Sequence, residues 1–262
     1  MKVDFGRTAA DYARHRAGFP DRFYDRLAAH GIVPASAAEG PEIRALDLGT
    51  GTGTLARGLA LRGWRVVGLD HSAAMLAAAR DLDAAAGVRI GYVQAPAEAT
   101  GLADDTFALV TAGSCWHWFD RPRTAREARR LLVPGGWLVI AALDWDPRPG
   151  SVVAATERLI ARHNPAWRAG GGFGFRHGWR RDLVEAGFTD IAFFTFGIAV
   201  PYSHAGWRGR IRASAGVAAS LDEAAVAHFD AEHGRLLAAC FPGDPFEVPH
   251  RVSALLARAP AR

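Results

Sequence analysis

From residue 43 to residue 143 the chain alternates short apolar runs with longer amphipathic ones, a rhythm that restricts the fold more than any other feature. IRALDLG (43–49) reads as a strand and GTLARGLALRG (53–63) as a helix closed by Gly63. WRVVGLD (64–70) is a second strand, and SAAMLAAARDLDAAAG (72–87) a second helix, capped by Ser72 and stopped by Gly87. VRIGYVQ (88–94) and FALVTAG (107–113) read as the third and fourth strands. RPRTAREARRLLVPGG (121–136) reads as a helix ended by a Pro-Gly-Gly turn, which leads into a fifth strand, WLVIAAL (137–143). Repeated strand–helix units of this length imply right-handed crossovers and a parallel sheet with helices on both faces. Near-continuous apolar strands fit burial on both sides.

After Leu143 the rhythm changes. DWDPRPG is rich in turn formers, SVVAATERLIARH is helix-like, and the glycines of NPAWRAGGGFGFRHG argue against regular structure. WRRDLVEAGF returns to helix. DIAFFTFGIAVPYS and FEVPHRVSALLARA read as two late strands around a mostly helical stretch from about Trp207 to Ala239. The simplest organisation is one α/β domain over residues 1–262. Its core spans 41–144, its N-terminal helices 1–40, and its mainly helical cap 145–178 and 202–245.

Composition narrows the function classes. Half the 262 residues are hydrophobic and 22% are charged, enough for a sizeable core. Thirty arginines stand against one lysine, Lys2, but the net charge of +4 is modest and the arginines are scattered. No nucleic-acid stripe is expected. Cys115 and Cys240 form neither a Cys-x-x-Cys pair nor a disulfide framework, and no His-Glu-x-x-His pattern occurs, so no metal is expected. The N-terminus lacks the apolar core of a secretory signal, and no stretch approaches the roughly 18 apolar residues of a membrane span. A soluble cytoplasmic protein is the expectation.

The most informative segment is LDLGTGTGTLA, Leu46–Ala56. Three glycines at alternate positions, after a strand and opening a helix, let backbone pass close to a ligand. Asp70 ends the next strand, nineteen residues after Gly51, where a carboxylate can accept both hydrogen bonds from a ribose diol. Gly51-x-Gly53-x-x-Ala56 also satisfies the loose dinucleotide pattern, which keeps an NAD(P)-dependent oxidoreductase open. Asp47, two residues before Gly49, would repel a pyrophosphate but welcome a sulfonium or ammonium cation.

Four blocks in order, LDLGTGTGTLA, VVGLDHSAAML, QAPAEATGLADDTFALV and LLVPGGWLVI, resemble the motif series of class I S-adenosylmethionine-dependent methyltransferases. The resemblance implies a Rossmann-like seven-stranded, mostly parallel sheet with an antiparallel last strand, and S-adenosyl-L-methionine as cofactor. It places Gly49, Thr50, Gly51 and Gly53 around the methionine moiety, Asp47 at its amino end and Asp70 on the ribose. His71, Ala97 and Glu98 fall beside the adenine, and Gly113 and Ser114 at the end of the fourth strand. Pro96 and Ala108 stand where relatives often carry aspartate. YARHRAGFP resembles a lid helix of small-molecule members, including the trans-aconitate methyltransferase-like group, in which Tyr12 and Arg16 would close over the cofactor.

SCWHWFD, 114–120, then follows the fourth strand at the sheet edge where ligands bind. His117 is the candidate base for a protonated acceptor, and Trp116 and Trp118 the candidate aromatic walls. Trp207, Arg208 and Arg212 are candidates to hold a substrate carboxylate. His250 and Arg251 alternate across the last strand, so one side receives at most one of them. The expected activity is methyl transfer to a small molecule, most readily at a carboxylate or hydroxyl oxygen. An RNA or protein methyltransferase and a non-catalytic cofactor-binding protein remain alternatives.

Overall fold

The computed structural model describes residues 9–34, 44–167 and 177–261. Most of the glycine-rich segment read as irregular, 168–176, lies outside them, as does the start of the first strand at Ile43. Two compact units divide the chain. The larger is built from residues 18–143, 175–195 and 252–262, the smaller from 1–17, 144–174 and 196–251.

A seven-stranded sheet is formed by β1 (Arg44–Leu48), β2 (Arg65–Asp70), β3 (Gly91–Gln94), β4 (Phe107–Gly113), β5 (Leu132–Trp145), β6 (Thr189–Tyr202) and β7 (Phe246–Arg258). Its order is β3-β2-β1-β4-β5-β7-β6. β1 pairs in parallel with β2 and β4, β2 with β3, and β4 with β5. β7 is reversed against β5, since Gly135 N–H donates to Ala259 near one end and Asp146 N–H to Pro249 near the other. Thr189 Oγ1 donates to Arg258 O and Thr195 Oγ1 to Val252 O, so β7 is also antiparallel to β6.

The larger unit holds α2 (Asp21–Ala29), α3 (Thr54–Ala60), α4 (Ala73–Ala86), α5 (Arg121–Leu131) and α7 (His177–Glu185). Helix starts and stops are encoded locally. Ser72 accepts from Met75 N–H, Asp120 accepts from Arg123 N–H with Pro122 in the first turn, and Gly87 ends α4 in a left-handed conformation. The core joins Leu46, Leu48, Leu69, Val110, Leu138 and Ile140 from the strands to Ala125, Ala128 and Leu183 from the helices.

The smaller unit contains α1 (Ala9–His15), α6 (Val152–His163), α8 (His204–Arg212) and α9 (Glu223–Cys240). Val153, Leu159, Trp207, Ile211, Phe229 and Leu237 form a separate core. α1 approaches α8 closely: a Cβ on Gly209 would sit 2.2 Å from the His15 ring.

One boundary differs from expectation. β5 starts at Leu132, and Pro134-Gly135-Gly136 lies inside it instead of ending α5. Leu132 pairs with Phe107 and Trp137 with Leu109, so five steps along β5 answer two along β4. Gly135, at φ +76°, allows this bulge, and Ala259, just after β7, returns a hydrogen bond to Gly136 O. The glycines therefore bend the strand and leave pairing to β7 intact.

Candidate functional site

The carboxyl ends of β1, β2 and β4 bring the glycine turn, Asp70 and the 114–120 segment to one edge of the sheet in the larger unit. Asp70 is the tie. One carboxylate oxygen accepts from Gly51 N–H at 2.9 Å and the other from Ser72 N–H at 2.9 Å, so a single side chain holds the turn after β1 and the entry to α4. Each oxygen keeps a second acceptor direction. Thr50 N–H donates to Leu69 O and closes the turn onto β2.

The three glycines do different work. All have positive φ, +60°, +55° and +75° for Gly49, Gly51 and Gly53. A Cβ on Gly49 would lie 2.7 Å from Phe119 and 2.9 Å from the Cys115 sulfur, and one on Gly53 would lie 2.6 Å from the Tyr92 hydroxyl. At Gly51 a Cβ would meet nothing within 4 Å. The protein's own packing thus fills the space beside two of them and leaves the third facing open space.

Asp47 is 1% exposed, and its oxygens accept from Thr111 Oγ1 at 2.6 Å and Thr50 Oγ1 at 2.7 Å. Burial pushes its carboxyl up to about 6 against the pull of these donors. Its hydrogen bonds therefore brace the turn from below. Behind the turn, Arg57 donates to Thr52 O and to Asp83, and Tyr92 O–H donates to the other oxygen of Asp83. Burial and the bond to Asp83 push the Tyr92 phenol up.

The remaining candidates of this unit scatter around that centre. His71 is exposed, with Nδ1 3.5 Å from Asp70. Ala97 is buried in the core, while Glu98 accepts from Asp120 N–H at the start of α5. Gly113 ends β4, and Ser114 takes a left-handed φ of +57°. Its N–H donates to Ala141 O and its hydroxyl accepts from Leu143 N–H. A non-glycine residue in that region stores strain of ~1–2 kcal/mol, here offset by two bonds to β5. His117 and Trp118 are exposed on a short 3-10 turn, ring centroids 4.7 Å apart.

Three expectations are corrected. Trp116 is no pocket wall: the same 3-10 turn directs it into the core, fully buried and edge-on to Phe119. In the smaller unit Trp207 is fully buried and donates its indole N–H to Thr156. Arg208 and Arg212 are already neutralised. Arg208 is paired with Asp230, and Arg212 binds Asp230 at 3.0 Å and Asp11 at 2.9 Å. Arg16 lies 5.0 Å over the Tyr12 ring at the end of α1.

Sequence reasoning missed Thr111, Cys115, Tyr92, Arg57 and Asp83. Thr111 alone left a signal, a hydroxyl inside the apolar run FALVTAG. The others meet the turn from distant positions that no local pattern connects.

Residues 46–140 match the model of a methyltransferase domain. Over that stretch the chain is similar to methyltransferases. The match begins at β1 and ends in β5, so it holds the glycine turn, Asp70 and His117. An uncharacterised methyltransferase of Mycobacterium tuberculosis is 35% identical over 148 residues, 56% of this chain and 54% of that protein. Malonyl-acyl-carrier-protein O-methyltransferase of Enterobacter lignolyticus is 38% identical over 146 residues, 55% and 54% of the two chains. The chain spans about half the length of these relatives. A solved structure of a proposed type II methyltransferase from Anaeromyxobacter dehalogenans aligns over 94% of this chain and 99% of its own, with a TM-score of 0.62 at 24% identity, a likeness of fold. Among the described residues, no helix is long and apolar enough to cross a membrane, and no group of three His, Cys, Asp or Glu side chains could hold a metal ion.

Proposed function

We propose that the chain is an S-adenosylmethionine-dependent methyltransferase acting on a small molecule, with oxygen as the acceptor atom. The observation that carries this reading is the open space beside Gly51, on a turn closed by Asp70, within the methyltransferase domain. The donor set suits the cofactor. Gly51 leaves room for it, Asp70 has acceptor directions left for ribose hydroxyls, and His71 is exposed beside Asp70 at the adenine end. When bound, the cofactor supplies a methyl group already activated by its sulfonium.

The chain's own contribution is positioning, exclusion of water and, for a hydroxyl acceptor, proton removal. His117 has the chemistry for that last task. Its imidazole is exposed at the carboxyl end of β4, beside the exposed face of Trp118, and a neutral imidazole can accept a hydroxyl proton. A carboxylate acceptor would arrive ionised and would need no base. O-methyltransferases among the relatives support oxygen as the acceptor atom.

The test is calorimetric titration with S-adenosylhomocysteine, with NAD and NADP as controls. Binding of S-adenosylhomocysteine alone is the expected result. Binding of a dinucleotide in its place would overturn the reading.

A further inference from the structure

α8 carries three arginines at alternate positions, and the middle one is unlike its neighbours. Arg208 and Arg212 reach Asp230 and Asp11. Arg210 points elsewhere and is only 9% exposed. Its guanidinium lies 5.0 Å over the indole of Trp145, which is fixed by a 2.7 Å hydrogen bond from its own N–H to Glu157. Among the described residues no carboxylate is ion-paired with Arg210, and no acceptor is hydrogen-bonded to its guanidinium.

The surroundings add positive charge. Arg16 is near enough to oppose the charge on Arg210, and it too has no acid partner among the described residues. Asp144 acts on Arg210 more weakly than Arg16, Tyr202 and Tyr12 do. Burial, reinforced by Arg16, draws Arg210 down to about 10. His250, facing the same two arginines, is drawn down to about 4, chiefly by burial. Its Nδ1–H donates to Val248 O, which favours the charged form, but burial outweighs this bond and the ring adds no charge near neutral pH.

The elements holding these groups are tightly fixed. Arg212 anchors Asp11 of α1, Gly209 lets the His15 ring lie against α8, and Tyr202 O–H donates to His15 O one residue before Arg16. Burying an unpaired cation is costly, and a second cation nearby raises that cost. Such a pair, held rigidly and lined by aromatic faces, is a built receptor for a planar anion. A carboxylate accepts two N–H groups from one guanidinium, and the aromatic walls suit an apolar body attached to it.

We propose that the smaller unit binds the carboxylate of a small organic acid between Arg210 and Arg16, with Trp145 and Tyr12 as aromatic flanks. The bound acid being the methyl acceptor, as substrate class, rests on the methyl-transfer reading above. The anion site itself does not.

The experiment is a binding series on the full chain. Benzoate, phenylacetate, indole-3-acetate and succinate are each titrated beside the corresponding amide, with phenyl phosphate as a further anion, by thermal shift and calorimetry. At least one carboxylate should bind while its amide does not, and Arg210→Gln should weaken that binding about ten- to hundredfold. Without ligand, Arg210→Gln should melt no lower than wild type, since it removes an uncompensated buried charge. Arg16→Gln, on the less buried partner, should shrink the same carboxylate preference and keeps the test decisive if Arg210→Gln does not fold.

The proposal falls if no carboxylate is preferred over its amide, or if phenyl phosphate alone binds. It also falls if Arg210→Gln loses S-adenosylhomocysteine affinity as strongly as carboxylate affinity, which would assign the arginine to the methionine end. Carboxylate binding without S-adenosylhomocysteine binding would sink the methyl-transfer reading and leave this site standing.

Discussion

Replacing Gly49 and Gly51 by alanine, one at a time, separates packing from ligand space within a single turn. Both residues sit at left-handed φ, +60° and +55°, so each substitution carries a similar backbone cost of ~1–2 kcal/mol. The surroundings then split the pair. The new methyl at Gly49 would lie 2.7 Å from Phe119 and 2.9 Å from Cys115, and overpacking of that kind adds ~1–3 kcal/mol. At Gly51 nothing stands within 4 Å, so no packing cost is added. Gly49→Ala should therefore lose ~2–5 kcal/mol, a fall of roughly 5–15 °C in Tm for a chain of this size, and Gly51→Ala only ~1–2 kcal/mol. Binding should show the reverse emphasis. If the space over Gly51 belongs to the cofactor, the alanine methyl should weaken S-adenosylhomocysteine binding about tenfold or more. Urea melts and calorimetry on the two variants supply both numbers. Equal loss of stability would refute the packing argument, and wild-type affinity in Gly51→Ala would remove the cofactor from that space.

Asp47 makes stability depend on pH with a definite sign. Its folded carboxyl titrates at about 6, above the ordinary 3.8, so the folded state holds the proton more tightly. Its contribution is full below about 4, falls as pH rises through about 6, and amounts to ~3 kcal/mol against Asp47→Asn. A wild type that gained stability relative to Asp47→Asn as pH rises through that range would contradict this. Arg57→Met should cost ~3–5 kcal/mol in urea melts, because Asp83 would keep its buried charge with Tyr92 alone. Adding Asp83→Leu should recover much of that loss, and failure to do so would mean that the ion pair is not what braces the turn. His117→Ala, at an exposed position, should change stability by less than ~0.5 kcal/mol and spare S-adenosylhomocysteine affinity. With a hydroxyl acceptor its turnover should drop about a hundredfold, and full activity would end the base assignment.

The sheet was legible because its signals are local. Ser72, Gly63, Gly87 and the apolar strand runs announce β1 to β5 within windows of a dozen residues, and the two late strands followed the same logic. Asp70 could be placed for the same reason, as the last residue of a strand beside a glycine turn. The bulge in β5 escaped because Pro134-Gly135-Gly136 has the composition of a helix stop, and only pairing with β4 and β7 distinguishes the two. The α8 arginines show the other limit. Helical spacing picked Arg208 and Arg212 as neighbours on one face, but their partners, Asp230 and Asp11, come from α9 and α1. Periodicity finds faces, while charge neutralisation depends on which acids the fold brings alongside. Trp116 and Trp118 make the same point in two residues, one sealed in the core and one 48% exposed.

The position of β7 has a consequence for how the chain is assembled. β7 is made after both β5 and β6, yet it stands between them in the sheet. Until it arrives, β5 presents an open edge of apolar residues, including Leu138, Val139 and Ile140, that any extended segment could occupy. A nascent or truncated chain lacking 246–258 would carry a vacant slot in mid-sheet, where losing β3 would only shorten one side. Shielding that slot during synthesis, by a chaperone or by rapid completion, then favours the native strand order.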